Sequence, residues 1–250
     1  MVGSPPGPPP LARSNWAYFL DFDGTLVELA VTPDAIHVDP LLPALLADLH
    51  RRCAGAVALV SGRALADLDR HIAIADLPKA GQHGMERRDA SGRLWRHALP
   101  PHAKQAIRAK LVDMLEQQPG LLLEDKGLTL ALHYRQAPEL GEQLRHLLEL
   151  LVAEADAGLT VQAGKCVVEV RPAGIDKGTA VREYLAEPPF QGRRPVFVGD
   201  DRSDEHAFVA VNELGGVSVG VGSGSLSARY RLADVSAVRA WLTGVVSGRP

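Results

Sequence analysis

The sequence is poor in cysteine and has no long apolar run, and each shortage excludes a class of protein. The two cysteines among its 250 residues, Cys53 and Cys166, form no Cys-x-x-Cys pair, which argues against a disulfide scaffold or a zinc cluster. No stretch approaches the roughly 18 to 20 apolar residues that span a bilayer. The net charge of −3 favours neither nucleic acid nor an anionic membrane as a partner. We therefore expect a soluble, cytoplasmic protein.

The N-terminus is rich in proline and glycine and lacks both a basic start and an apolar core. This composition predicts neither a signal peptide nor a membrane anchor. We interpret residues 1–13 as a disordered lead. The remaining chain, with 46% hydrophobic residues overall, has enough apolar side chains for a substantial core.

Apolar runs that alternate with helical segments predict an α/β fold with a doubly wound, Rossmann-like parallel sheet. A strand at 16–20 is followed by a helix at 40–52, a strand at 56–60 and a helix at 64–71. The same alternation returns from residue 177. Strands in this order are parallel and are joined by right-handed crossovers.

The middle of the chain has a different pattern. Two strand pairs alternate with two helices, which is the order of a small antiparallel sheet with helices on one face. We therefore expect a smaller α/β cap domain at 102–171, inserted into a core formed by 14–101 and 172–250.

Two carboxylates one residue apart follow the first strand, in Asp21-Phe22-Asp23-Gly24-Thr25-Leu26. Ligands of open α/β sheets bind just beyond the carboxyl ends of the strands. The placement suggests a nucleophile, Asp21, beside a proton shuttle, Asp23. The alternative is an ordinary Asp-Gly turn that closes a core strand.

Acidic residues also follow the strand at 195–198, in Gly199-Asp200-Asp201-Arg202-Ser203-Asp204-Glu205. Magnesium typically takes one or two carboxylates together with water and substrate phosphate. Acids from two strand ends can therefore meet on one Mg²⁺ ion. The alternative is a solvated acidic turn in which Asp204 caps a helix.

Two further elements are suited to an anion. Lys177 begins a helix, where its ammonium group can neutralise a carboxylate nucleophile and a phosphoryl group together. Ser61-Gly62-Arg63 follows the second strand and offers a hydroxyl and backbone N–H groups at a helix N-terminus. A surface lysine and an ordinary helix cap are the alternatives.

In this order the four elements resemble the motifs of the haloacid dehalogenase superfamily of phosphatases and phosphotransferases. The resemblance implies that Asp21 is the nucleophile, that Asp23 is the acid and base, and that Ser61 and Lys177 bind the phosphoryl group. It also implies magnesium as cofactor, held by Asp21, by the backbone carbonyl of Asp23 and by Asp200. Asp201 and Asp204 then support the ligands from outside the coordination sphere or act as outer ligands.

The finer pattern is similar to the trehalose-6-phosphate phosphatase family, although Ser203 replaces the usual threonine of the acidic motif. The residues that carry this likeness are Gly81-Gln82-His83-Gly84-Met85-Glu86, Glu124-Asp125-Lys126, His133-Tyr134-Arg135 and Gly164-Lys165 through Glu169, Arg171 and Pro172. The resemblance implies hydrolysis of a sugar phosphate, trehalose 6-phosphate, by a protein that we expect to be a monomer. The substrate-binding residues that it implies are Gly62, Arg63, His83, Glu86, Glu124, Lys126, His133, Arg135, Lys165, Glu169 and Arg171.

Several alternatives stay open. The nearest alternative is another sugar-phosphate phosphatase of the superfamily, such as one acting on sucrose phosphate or mannosyl phosphoglycerate. A sugar phosphomutase shares the cap topology but must protect its phosphoenzyme from water. A regulatory pseudophosphatase is disfavoured because all four motifs retain their reactive residues, and a phosphatase domain separated from a fused synthase is a further alternative.

Overall fold

The structure is a computed structural model, and it describes residues 7–30, 35–155, 158–164, 166–223 and 227–247. The chain divides into two compact units, Met1–Trp95 with Ile175–Pro250 and Arg96–Gly174. The second unit is therefore an insertion in the first, and its bounds are wider than the predicted 102–171.

The elements alternate as the sequence predicts for most of the chain. Helices α1 to α7 are Leu42–Arg52, Leu65–His71, Pro101–Gln117, Gly141–Ala155, Lys177–Leu185, Glu205–Glu213 and Val235–Ser247. Strands β1 to β12 are Trp16–Leu20, Val57–Val60, Lys79–Gly81, Glu86–Arg88, Leu94–Arg96, Leu122–Asp125, Leu130–His133, Leu159–Gly164, Val167–Pro172, Arg194–Gly199, Val217–Val221 and Tyr230–Leu232.

The first unit is built on an eight-stranded sheet in the order β12-β11-β10-β1-β2-β3-β4-β5. The strands from β12 to β3 are parallel, and β4 pairs with β3 in the antiparallel direction. Strand β1 lies between β2 and β10, with Leu20 in register with both Leu59 and Val198. The carboxyl ends of these three strands therefore lie side by side.

Strand β1 is buried along its whole length, as its continuous apolar run predicts. Alternate side chains enter two separate cores because strand residues point to opposite faces of the sheet. Tyr18 and Leu20 pack in the core that includes α1 and α7, whereas Ala17 and Phe19 pack in the core that includes α5 and α6. Helices on both faces hold the central strands rigidly.

The second unit has a four-stranded antiparallel sheet in the order β6-β7-β9-β8. Leu130 and Leu132 of β7 pack in one core with leucines of α3 and α4, such as Leu111 and Leu148. Since alternate strand residues face opposite ways, Ala131 and His133 belong to the other face of this sheet.

The prediction of a disordered lead at 1–13 is wrong for residues 7–13, which pack on the first unit; residues 1–6 lie outside the described part. The carbonyl oxygen of Gly7 accepts from the Arg231 N–H, and that of Pro10 accepts from the Trp241 indole. Arg13 exchanges two hydrogen bonds with the hydroxyl of Tyr18, at 2.8 and 2.9 Å. These hydrogen bonds order residues 7–13, and their partners lie outside the segment, so the composition of the segment does not indicate them. In the described part of the chain, no helix combines the length and apolarity of a membrane span.

Candidate active site

The turn after β1 brings two carboxylates to the carboxyl edge of the sheet. It is closed by hydrogen bonds from the Leu26 N–H to the Phe22 carbonyl and from the Gly24 N–H to the Val27 carbonyl, at 2.9 and 2.8 Å. Gly24 adopts a φ of +75°, and a Cβ atom there would lie 2.1 Å from Asp200 Oδ2. Only glycine therefore permits both the turn and the close approach of Asp200.

A buried lysine joins the first strand end to the acidic turn after β10. Lys177 Nζ donates to Asp21 Oδ1 at 2.7 Å and to Asp204 Oδ1 at 2.6 Å. Lys177, Asp21 and Asp204 are 2%, 4% and 0% exposed. Burial works to lower the pKa of Lys177, but the charges of Asp21 and Asp204 outweigh it, so the pKa lies above its usual value. The ammonium group therefore stays charged.

Asp204 is engaged at both carboxylate oxygens. While Oδ1 accepts from Lys177, Oδ2 accepts from the backbone N–H groups of Asp200 and Asp201 at 2.9 and 3.1 Å. Asp201 in turn accepts from the Ser203 N–H, so that the two acids form a reciprocal capping box around a 3-10 turn, Arg202–Asp204. Asp204 thus shapes the acidic turn and holds the lysine.

Three carboxylates in this site face one ammonium group. Oxygens of Asp21, Asp200 and Asp204 lie within 4.8 Å of one another. Burial first, together with neighbouring carboxylates, raises the pKa of Asp21 and of Asp200 to about 6 each and that of Asp204 to about 7. The excess negative charge fits a divalent cation. Because Asp204 is fully buried and does not line the site's cavity, whereas Asp21 and Asp200 do, Asp21 and Asp200 are the better oxygen ligands.

Asp23 is clamped by an arginine instead of facing the lysine. Arg63 donates from Nε to Asp23 Oδ2 at 2.6 Å and from an NH2 group to Oδ1 at 2.7 Å. Its remaining NH2 group donates to Asp67 Oδ2 at 2.6 Å. The hydrogen bonds to Asp23 are the main reason that the pKa of Arg63 lies above its usual value. The two parallel hydrogen bonds fix the orientation of the Asp23 carboxylate against Arg63.

The turn after β3 supports the Ser61-Gly62-Arg63 segment. The His83 N–H donates to the Ser61 carbonyl, and the His83 ring lies so close to Gly62 that a Cβ atom there would be 2.7 Å from its Cε1. His83 itself has a φ of +58°, an uncommon conformation for a residue with a side chain. Glu86, 7% exposed, accepts from the Leu65 N–H at 2.9 Å and so caps the start of α2.

A cavity of about 530 Å³ in the first unit gathers most of the predicted core residues. Its apolar lining residues are Leu29, Ala30 and Ile36. Its other lining residues, all polar except Gly62, are Asp21, Asp23, Ser61, Gly62, Arg63, Asp67, His83, Lys177, Asp200, Asp201 and Ser203. Glu86 and Asp204 are not among the lining residues. Glu86 is buried and accepts a hydrogen bond at the start of α2, and its role in binding substrate stays a prediction.

Most of the predicted sugar-binding residues of the second unit that the structure describes make polar contacts on or beside its sheet, in three separate groups. His133 Nε2 lies 2.8 Å from Glu124 Oε2, and Glu169 accepts from Thr129 at 2.5 Å and lies 3.7 Å from the Lys126 ammonium group. Arg171 donates to Gln162, and Arg135 is exposed in the turn after β7. Lys165 lies outside the described residues. Glu169 and Arg171 alternate along β9 and therefore share a sheet face, where Glu169 lies near Lys126 and Arg171 contacts the neutral Gln162.

Two polar residues of the site have no role in the sequence prediction. Thr25 Oγ1 lies 3.4 Å from Asp21 Oδ2 and 3.3 Å from Asp200 Oδ1, between the two carboxylates. Asp67 holds Arg63, and the signal that reveals it is the four-residue spacing of an Arg–Asp pair at the start of a helix.

The fold and this arrangement of acids and lysine define the class of protein. A haloacid dehalogenase-like hydrolase from Bacteroides thetaiotaomicron has the same fold, with a TM-score of 0.67 at 14% identity over 91% of this chain and 98% of that chain. That likeness concerns the fold alone. To this fold the site adds four polar elements at the carboxyl edge of the sheet: the turn that carries Asp21 and Asp23, Ser61, Lys177 and the acidic turn after β10.

The chain belongs to the trehalose-phosphatase family, whose family model matches residues 19–236. It is 47% identical over 208 residues to a probable trehalose-phosphate phosphatase of Sinorhizobium fredii, covering 83% of this chain and 78% of that protein. It is 42% identical over 233 residues to the trehalose-6-phosphate phosphatase of Escherichia coli, covering 93% and 87%. The structure of the Aspergillus fumigatus trehalose-6-phosphate phosphatase is similar, with a TM-score of 0.74 at 28% identity over 97% of this chain and 100% of that chain.

Proposed function

We propose that this protein is a phosphatase that hydrolyses trehalose 6-phosphate to trehalose and phosphate, with a place in trehalose biosynthesis. The observation that carries the proposal is the buried hydrogen bond of 2.7 Å between Lys177 Nζ and Asp21 Oδ1 on a cavity that Asp23 also lines. Family membership supports the substrate. A cytoplasmic location and a monomeric state are part of the same proposal.

The proposed reaction has two in-line steps. An oxygen of Asp21 attacks phosphorus, the P–O bond to the sugar breaks, and Asp23 gives its proton to the departing sugar oxygen. In the second step Asp23 takes a proton from water, the water oxygen attacks phosphorus, and the P–O bond to Asp21 breaks, which regenerates the Asp21 carboxylate and releases phosphate. Ser61 and Lys177 bind the transferring phosphoryl group, and Lys177 keeps it from being repelled by the carboxylate.

Magnesium is the proposed cofactor, and the donor set fits it because Asp21 and Asp200 present carboxylates that the lysine does not fully neutralise. These two side chains and the backbone carbonyl of Asp23 are the proposed ligands. Asp201 and Asp204 are proposed to support these ligands or to act as outer ligands. Bound magnesium neutralises negative charge on the carboxylates and on the phosphoryl group. Asp204 acts on this site through its hydrogen bonds to the backbone of Asp200 and Asp201.

The proposed sugar-binding residues fall into two groups. Gly62, Arg63 and His83 line the cavity of the first unit. In the second unit, the proposed sugar-binding residues are Glu124, Lys126, His133, Arg135, Lys165, Glu169 and Arg171. A network of acids, bases and histidine suits a sugar because hydroxyl groups both donate and accept hydrogen bonds.

A substrate panel tests the proposal. Phosphate release is measured with magnesium for trehalose 6-phosphate, sucrose 6-phosphate and glucose 6-phosphate, and we expect the highest kcat/KM with trehalose 6-phosphate. A clear preference for either of the other two sugars would refute the proposed substrate. Isomerisation of a sugar phosphate without phosphate release would instead identify a phosphomutase.

A further inference from the structure

Arg63 lies between two carboxylates, and only one of them belongs to the reacting pair. One edge of its guanidinium group makes two hydrogen bonds to Asp23, and the remaining NH2 group donates to Asp67. The Arg63 side chain is 8% exposed, and its guanidinium carbon lies 5.8 Å from the centre of the Phe22 ring. A planar group held on two sides and against a ring has little freedom to rotate.

Asp67 is itself held in place. It lies in the first turn of α2, and its side chain is 18% exposed. Its second oxygen accepts from Arg70 at 2.5 Å and lies 3.5 Å from His71 Nε2. Although burial alone raises the pKa of Asp67, the hydrogen bonds from Arg63 and Arg70 hold it below its usual value. Asp67 is thus a fixed carboxylate anchored on a helix.

We propose that Asp67 is a positioning residue of the reaction, which orients Arg63 and through it holds the Asp23 carboxyl group where it meets the leaving oxygen. The inference rests on the proposed function, since it assigns an anchor to the acid of that reaction. Asp67 acts through Arg63, at the far end of the guanidinium group from Asp23. Asp67 also neutralises the buried charge of Arg63 independently of Asp23. Arg63 therefore keeps a charged partner when Asp23 carries a proton during the reaction.

The leaving group distinguishes this role from a structural one. When the P–O bond of a sugar phosphate breaks, its electron pair stays on an alkoxide-like oxygen, and the proton of Asp23 joins that oxygen. A nitrophenolate leaving group departs without needing the proton. Misplacing Asp23 therefore slows the first step for a sugar phosphate much more than for p-nitrophenyl phosphate.

The test compares Asp67→Ala and Asp67→Asn with the wild-type protein. We expect Asp67→Ala to lower kcat for trehalose 6-phosphate by about 10- to 100-fold, a part of the usual effect of general acid catalysis, with KM changed less than about threefold. The first burst of nitrophenol from p-nitrophenyl phosphate should slow less than about threefold. Asp67→Asn keeps an oxygen acceptor for Arg63 and should recover part of kcat.

Asp69→Asn is the matched control, because Asp69 is on the same helix and accepts from Lys79 and Arg88, outside the residues that line the cavity. It should leave the ratio of the two substrates unchanged. Equal losses on both substrates in the Asp67 variants, or a rise in KM with kcat unchanged, would overturn the proposal. Absence of trehalose 6-phosphate hydrolysis by the wild-type protein would instead refute the proposed function.

Discussion

Lys177 donates a 2.7 Å hydrogen bond to Asp21, a residue 156 positions earlier in the chain. The second unit is inserted between these two residues. The site therefore forms only when the two segments of the first unit have folded into one sheet with its helices. Lys177 begins α5, and Asp21 follows the central strand β1, so that both are attached to the rigid part of the unit.

Replacing Lys177 tests the buried ion cluster. Lys177→Gln leaves two buried carboxylates without their ammonium partner, and we expect the free energy of unfolding to fall by about 3–5 kcal/mol and phosphatase activity to be lost. Urea denaturation and phosphate release measure the two effects. Arg182→Gln on the same helix breaks an exposed pair with Glu213 and should cost less than about 1 kcal/mol, with activity retained. Equal stabilities for the two variants would contradict the role of the cluster.

A substitution of Gly24 tests whether the close approach of Asp200 to the turn after β1 is needed for magnesium binding. Gly24→Ala combines a φ of +75° with a Cβ atom 2.1 Å from Asp200 Oδ2, so that Asp200 must move. We expect magnesium affinity to fall by about 10- to 100-fold in a calorimetric titration, as for other displaced ligand environments. Gly92→Ala is the control, since Gly92 has a similar φ of +83° but no atom near its Cβ position. It should lower stability without changing magnesium affinity; a loss of affinity in both variants would point to general strain.

Substitutions of Glu86 distinguish a helix-capping role from a role in sugar binding. Glu86→Ala removes the acceptor for the Leu65 N–H at the start of α2, and we expect a loss of about 1–2 kcal/mol in the free energy of unfolding. Glu86→Gln keeps an oxygen acceptor and should restore most of it. Direct binding of the sugar by Glu86 would instead raise KM in both variants while stability stayed at the wild-type value.

The acid cluster predicts how stability depends on pH in the absence of magnesium. Burial raises the pKa of Asp21 and Asp200 to about 6 and that of Asp204 to about 7, above the value of about 3.9 for an unfolded aspartate. Between these values the folded state binds more protons than the unfolded state, and stability therefore falls as the pH rises from about 4 to about 7. Burial lowers the pKa of His50, so its contribution to stability rises with pH and opposes this trend. It is one group against the three carboxylates.

Melting temperatures in a chelator at about pH 5 and about pH 7.5 measure this dependence, and we expect the higher value at the lower pH. Added magnesium should raise the melting temperature more at the higher pH, where the carboxylates are ionised. A metal-free protein that is more stable at the higher pH would contradict the description of the cluster. The lowered pKa of Asp69 and of Asp89, about 2 each, affects stability only below this window.

The elements that carry the site were predictable because each ends an apolar run at a polar motif. Strand β1 and the start of α5 lie where the pattern predicts them, and family motifs assign Asp21 and Lys177 to one site. Short edge strands were harder: β12 has three half-buried residues and no apolar run, so the sequence prediction lacks it. Partners far apart in sequence were also hidden, as for Arg63 and Asp23, which are 40 residues apart.

Side chains of one motif can have different roles, and their spacing in the sequence does not show which side chain has which role. His83 and Glu86 lie in the same glycine-containing segment, yet His83 lines the cavity and Glu86 turns to the first turn of α2. Gln82 and His83 both have a positive φ, which neither residue type indicates in the sequence. The packing of residues 7–13 was missed for a similar reason, since their hydrogen bonds are made by backbone atoms to distant partners.

Detection of the covalent intermediate tests the central claim most directly. Wild-type protein is mixed with magnesium and trehalose 6-phosphate, quenched in acid, reduced with borohydride and digested for mass spectrometry. An aspartyl-phosphate on Asp21 is converted to homoserine, and we expect this change at position 21 alone, with phosphate release abolished in Asp21→Asn. Rapid turnover without the change at position 21, or near wild-type turnover by Asp21→Asn, would contradict the account.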